Sequence, residues 1–148
     1  MRVLVQRVSE AKVRIGDEVV ANIARGLVVF VCAMDGDGEE EAAYLSRKVA
    51  RLRVFADEAG KTNLSLAEVD GAVLLVSQFT LAAEWRKGNR PGFSKAAGPK
   101  TGEALYEHFC HRLRAEGIPV ETGQFGALMA VSLVNDGPFT IWMDTDAD

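Results

Sequence analysis

Apolar and polar residues alternate with a period of two near the start of the chain. Ala11, Val13 and Ile15 alternate with Lys12 and Arg14, the pattern of a half-buried strand. Gly16-Asp17 follows, and an apolar run resumes from Val19 to Ile23, which predicts a hairpin. Leu27 to Met34 is apolar on both faces and rich in valine, as expected of a central strand covered on both sides. Asp35-Gly36-Asp37-Gly38 breaks it. The period then changes: Ala42, Leu45, Val49 and Leu52 fall on one stripe of a helix over Glu39–Leu52. Acids at its start and Arg47, Lys48 and Arg51 near its end suit the helix dipole.

Val54-Phe55 reads as a short strand, Asp57 to Lys61 as a turn, and Ala72 to Val76 as a buried strand ending in Ser77-Gln78-Phe79-Thr80-Leu81. Leu81 to Gly98 is a long irregular segment, and such loops are usually functional or disordered. Pro99 is placed to open a second helix running to about Glu116, with Leu105, Phe109 and Leu113 as its buried stripe. Three closing strands are expected over Val120–Gly123, Met129–Val134 and Phe139–Asp144, the last two joined by a turn at Asn135-Asp136-Gly137-Pro138. With no internal repeat, linker or low-complexity tract, the pattern predicts one α/β domain over residues 1–148. It is strand-rich, with two main helices.

Composition narrows the class. Apolar residues at 48% and charged residues at 26% of 148 exclude a disordered chain, and two cysteines exclude a disulfide scaffold. Cys32 and Cys110 lie in apolar stretches and read as buried, reduced thiols. No apolar run approaches the ~20 residues of a membrane span, and Met1-Arg2-Val3 leads straight into strand pattern rather than a signal peptide. A cytoplasmic location without membrane contact is expected. Seventeen basic against 21 acidic residues leave a net charge of −4, which argues against a general nucleic-acid binder.

The familiar catalytic sets are missing. His108 and His111 are the only histidines, three apart on the second helix, with no further ligand pattern beside them. There is no Gly-x-Ser-x-Gly elbow and no Walker or dinucleotide glycine fingerprint. Any chemistry must lean on backbone groups, hydroxyls or the substrate. Ser77-Gln78-Phe79-Thr80 leaves a buried strand where backbone N–H groups go unpaired; such donors can hold a developing oxyanion, or the segment is a plain polar strand end. Gly137-Pro138 is either an ordinary turn or a functional one.

These segments carry a resemblance. Ser77-Gln78-Phe79-Thr80-Leu81, Asn135-Asp136-Gly137-Pro138-Phe139-Thr140, Val5-Gln6-Arg7-Val8 and Gly88-Asn89-Arg90-Pro91-Gly92-Phe93 look like the D-aminoacyl-tRNA deacylases, as do Leu105-Tyr106 and Thr122-Gly123. The likeness runs in order from Met1 to about Asp144, departing slightly at Phe139 and Thr62. It implies a three-layer β/β/α sandwich working as a homodimer, with no metal or cofactor, that hydrolyses the ester of D-aminoacyl-tRNA and also accepts glycyl-tRNA. It implies catalysis around Ser77, Gln78, Phe79 and Thr80, where Thr80 lacks a base partner and suits positioning better than nucleophilic attack. Gly137 and Pro138, with a cis bond between them, and Asn135 would bind substrate in the partner's pocket and reject L-amino acids. A ribose 2′-OH can assist at an RNA 3′ end, so the missing triad agrees with this reading.

The charge objection then becomes local. Arg86, Lys87, Arg90, Lys95 and Lys100 follow Trp85 with no acid among them, a strip that can bind tRNA phosphates or simply be a solvated loop. Trp85 or Phe93 could stack on a base or anchor the loop. A non-catalytic RNA-binding or editing-like module on the same fold is the alternative. A small-molecule-binding regulator is a more distant one.

Overall fold

The computed structural model describes residues 1–146. Its strands are β1 (Arg2–Ile15), β2 (Glu18–Ile23), β3 (Gly26–Cys32), β4 (Phe55–Ala56), β5 (Thr62–Leu64), β6 (Ala72–Ser77), β7 (Val120–Thr122) and β8 (Ala130–Asp144). Two helices, α1 (Glu39–Arg51) and α2 (Pro99–Ala115), and a 3-10 turn at Phe79–Ala82 complete it. Both expected helices form within a residue of the boundaries that periodicity and Pro99 set. No helix among the described residues is long and apolar enough to cross a membrane.

The main sheet runs β2-β1-β3-β6-β7, with β8 paired to β1. β1 is long enough to serve two layers: Arg2 to Val8 pair with β3, whereas Ala11 to Ile15 pair with β2. Parallel pairing of β3 with β6 and of β6 with β7 makes β3 and β6 central. That explains their unbroken apolar runs, since each face of the two strands meets a different core. Leu27, Val29, Val31, Val73 and Leu75 face α1 and α2, packing with Leu45, Val49, Phe109 and Leu113. Val28, Leu74 and Val76 point the other way, onto Val8, Val13, Ala21 and Ile23. The result is the expected β/β/α sandwich.

The closing strands depart from expectation. Met129–Val134 and Phe139–Asp144 are not two strands joined by a turn; residues 130–144 form one strand that follows β1 for its whole length. Between the Gln6–Thr140 and Val8–Asn135 pairs, β1 supplies Arg7 alone while β8 supplies four residues, Asp136 to Phe139. The turn-like Asn-Asp-Gly-Pro sequence is thus a large bulge. Asparagine, aspartate, glycine and proline signal both features, and only the partner strand distinguishes them.

Candidate active site

A cavity of about 420 Å³ opens where β3 and β6 end. Val31, Cys32 and Ala33 line one side, Ser77, Gln78 and Phe79 another, and Tyr106, Phe125 and Phe93 close it. Among the described residues, no Asp, Glu, His, Lys or Arg side chain lines it. His108 and His111 sit further along α2, away from it. Among the described residues no group of three His, Cys, Asp or Glu side chains converges as metal ligands would.

The residues that leave β6 take distinct places. The Gln78 N–H continues the β3 pairing and donates to the Val31 carbonyl oxygen at 2.8 Å, so it is not available to a substrate. Phe79 and Thr80 head the 3-10 turn, beyond the reach of its internal hydrogen bonds. Their N–H groups are therefore the donors this segment offers. Gln78 Nε2 donates to Thr80 Oγ1 at 2.5 Å, while the exposed Thr80 side chain lies outside the cavity wall. Arg2 secures the far end of the turn, donating to the Leu81 carbonyl oxygen at 2.8 Å and to Asp144 at 3.0 Å.

Among the described residues two titratable side chains line the cavity, and burial holds both neutral. Desolvation pushes the Cys32 thiol above its ordinary range, and its Sγ lies 3.6 Å from the Phe79 carbonyl oxygen. Desolvation also raises Tyr106 far beyond a normal phenol, while its hydroxyl donates to the Leu75 carbonyl oxygen at 2.9 Å. Neither is placed to ionise at neutral pH. The walls are mostly apolar, and the polar side chains that line them are those of Ser77, Gln78, Cys32 and Tyr106.

The Gly137-Pro138 bond is cis, as the resemblance implies, and both residues are exposed on the bulge. Neither lines the chain's own cavity. Asn135 holds the base of the bulge: its Nδ2 donates to the Arg7 carbonyl oxygen at 3.0 Å and to that of Phe139 at 2.9 Å. Its amide protons are thereby used within the chain. Arg7 completes the clamp, donating from Nε to the Asp136 carbonyl oxygen at 2.9 Å and from Nη1 to that of Val54 at 2.6 Å. Its guanidinium also sits 4.8 Å from the centre of the Phe139 ring. Sequence reading assigned Arg7 no role, although two adjacent polar residues, Gln6 and Arg7, interrupt an otherwise alternating strand.

The basic strip is shorter than it looks in sequence. Glu84, just before it, pairs with Lys95 at 3.1 Å and approaches Arg86 at 3.8 Å. The hydrogen bond and charge of Lys95 hold the Glu84 carboxyl below the usual carboxylate range. Lys87, Arg90 and Lys100 make no ion pair among the described residues. The segment is also well tied down. Glu84 and Gly92 exchange backbone bonds of 2.8 and 3.0 Å, and Phe93 meets Phe79 edge to face at 5.1 Å. Phe93 is thus a loop anchor at the cavity mouth.

The sequence profile described as D-Tyr-tRNA(Tyr) deacylase matches residues 4–144, nearly all of the chain, including the Ser77–Thr80 and Asn135–Pro138 segments. The chain belongs to that family. Among its relatives, the D-aminoacyl-tRNA deacylase of Ruegeria pomeroyi is 60% identical over 144 residues, covering 97% of this chain and 99% of that protein. That of Paracoccus denitrificans is 60% identical, covering 98% and 97%. A solved structure titled c-Myc DNA Unwinding Element Binding Protein superposes with a TM-score of 0.92 at 38% identity, covering 99% of this chain and all of that one. A probable eukaryotic D-amino acid tRNA deacylase shares the fold, with a TM-score of 0.82 at 21% identity, covering 96% and 97% of the two chains.

Proposed function

We propose that the protein hydrolyses the ester joining a D-amino acid to the terminal ribose of tRNA, releasing the free amino acid and the tRNA. The observation that carries this reading is an apolar cavity, lined among the described residues by no charged side chain, beside a turn whose first two residues, Phe79 on the cavity wall and Thr80 after it, hold their N–H groups outside the turn's own hydrogen bonds. Water adds to the ester carbonyl carbon, the bond to the ribose oxygen breaks, and that oxygen leaves with a proton. The two N–H groups stabilise the negative charge on the carbonyl oxygen, an effect typically worth ~3–4 kcal/mol per donor. The neighbouring ribose 2′-OH positions the water. Ser77, Gln78 and Thr80 orient this end of the substrate; Thr80, with no base beside it and its oxygen bonded to Gln78, is not the nucleophile.

Chiral selection comes from a second copy of the chain. In a homodimer the exposed Gly137-Pro138 bulge of one protomer enters the cavity of the other. Its carbonyl oxygens then flank the substrate α-carbon and leave no room for an L side chain, whereas glycine passes. In support, the motif is exposed and does not line the 420 Å³ cavity of its own chain. Asn135 positions the bulge rather than touching substrate. Arg86, Lys87, Arg90 and Lys95 lie along the approach and meet tRNA phosphates. The protein would act in the cytoplasm, where charged tRNA is found.

Matched D-tyrosyl-, L-tyrosyl- and glycyl-tRNA test the proposal. Release from the D and glycyl substrates with none from the L substrate is expected. Tight tRNA binding without turnover would make the protein a non-catalytic RNA-binding module instead.

A further inference from the structure

Resting on that reading, we infer that Trp85, backed by Arg86, is a stacking platform for an unpaired base of the tRNA acceptor end, upstream of the esterified nucleotide. Trp85 is 66% exposed, an unusual state for the largest apolar side chain. Of the two loop aromatics, Phe93 is already engaged by Phe79 at 5.1 Å, which leaves Trp85 without an aromatic neighbour. The Arg86 guanidinium lies 4.8 Å from the centre of the indole ring, close enough for a cation–π contact on one face. Arg86 is itself held by Glu84 at 3.8 Å. The opposite face of the indole remains for a ligand.

The platform has a fixed relation to the cavity. Trp85 follows Glu84, Glu84 is bridged to Gly92, and Gly92 precedes Phe93, which rests on Phe79 at the cavity mouth. Further bonds tie the returning strand of this loop to the body: the Asp35 N–H to the Lys95 carbonyl at 2.8 Å, and the Ala97 N–H to that of Ala33 at 2.9 Å. An indole on so short and braced a hairpin stands within a few nucleotides of the ester. Lys87 and Arg90, which make no ion pair among the described residues, lie on the same hairpin and favour a polyanion over an apolar protein surface. Unpaired bases stacked on aromatic rings and guanidinium planes beside basic residues are how proteins commonly grip single-stranded RNA.

The test compares two substrates in W85A, W85F and the unaltered enzyme: full-length D-tyrosyl-tRNA, and 3′-O-D-tyrosyl-adenosine, which lacks the upstream nucleotides whose base the platform would hold. The inference requires KM for the tRNA to rise about ten-fold in W85A, with kcat held and most of the loss recovered in W85F. The short ester should show no such rise. Equal KM values on tRNA would overturn it. So would an equal loss on both substrates, which would place Trp85 in the structure of the cavity. A change in sedimenting mass in W85A with unchanged KM would make Trp85 a protein contact and overturn it too. Failure of the unaltered enzyme to cleave the short ester and the tRNA would instead defeat the deacylase reading itself.

Discussion

Arg7 and Asp136 are joined across 129 residues of sequence, the Arg7 Nε donating to the Asp136 carbonyl oxygen at 2.9 Å. Here β8 carries three more residues than β1 can pair with, and the guanidinium fills the gap. Its three contacts, with Asp136, Val54 and the Phe139 ring, fix the side of the bulge that carries Gly137 and Pro138. A largely buried arginine used this way is a strut. Arg7→Ala should lower stability by about 2–4 kcal/mol, since two charge-assisted hydrogen bonds are lost and carbonyl oxygens are left unpaired. Arg7→Lys should recover little, because an ammonium cannot replace a planar fork. Urea denaturation measures the first effect and D-tyrosyl-tRNA turnover the accompanying loss of activity.

Gly137 cannot be replaced cheaply. Its φ of +138° is poorly accessible to L residues, and a Cβ would stand 2.9 Å from Arg7 Nη2 and 3.1 Å from the Phe139 nitrogen. Gly137→Ala should cost about 1–3 kcal/mol and displace the bulge. Discrimination between D- and L-tyrosyl-tRNA should narrow along with stability. Full chiral selectivity in this variant would count against a selective role for the bulge.

Thr80→Ala should retain substantial deacylase activity, because the hydroxyl lies outside the cavity wall and lacks a base. Substituting hydrogen for the ribose 2′-OH of the substrate should slow the reaction by orders of magnitude. Loss of all turnover in Thr80→Ala, measured at saturating substrate, would point to a chemical role for the hydroxyl after all.

The ion pairs around Glu84 redistribute the expected tRNA contacts. Lys87 and Arg90, unpaired, should contribute more to binding than Lys95, which already pairs with Glu84. Neutralising Lys87 and Arg90 together should flatten the salt dependence of tRNA affinity by about two units of slope at most. Lys95→Ala should change it less. Glu84 itself is depressed below the usual carboxylate range, so its pairing holds at neutral pH and through the ordinary carboxylate titration. It is lost only as pH falls through that lowered value, where hydrogen exchange in the 84–95 loop should accelerate.

Cys32 gives a reactivity test of the cavity. Burial raises its thiol, so at pH 7.5 the thiolate fraction is small and iodoacetamide should label it slowly. Labelling should quicken as pH rises past 9 and become rapid on unfolding. Fast labelling of the folded protein at neutral pH would show that the cavity floor is open to solvent.

Much of this was legible from local pattern. The helical stripes of α1 and α2, the doubly apolar β3 and β6, and the polar exit at Ser77–Thr80 are written in residues close in sequence. Period and burial act over a few positions, so the elements and the strand-rich α/β class follow from local pattern, whereas the layered sandwich came from the family resemblance. Long-range pairing decided the rest. Whether Asn135–Pro138 turns the chain or bulges from a continuing strand depends on β1, more than 120 residues away, and no local signal separates the two. The same pairing turned Arg7 from a strand residue into the clamp of that bulge. The basic strip lost two free cations to Glu84: Arg86, two residues along the chain, and Lys95, which the backbone bridge between Glu84 and Gly92 brings back beside it. For the bulge and for Arg7 the deciding term is a hydrogen bond between residues more than 120 positions apart, and for Lys95 it is a charge contact across a folded loop; only the folded chain brings these groups within reach.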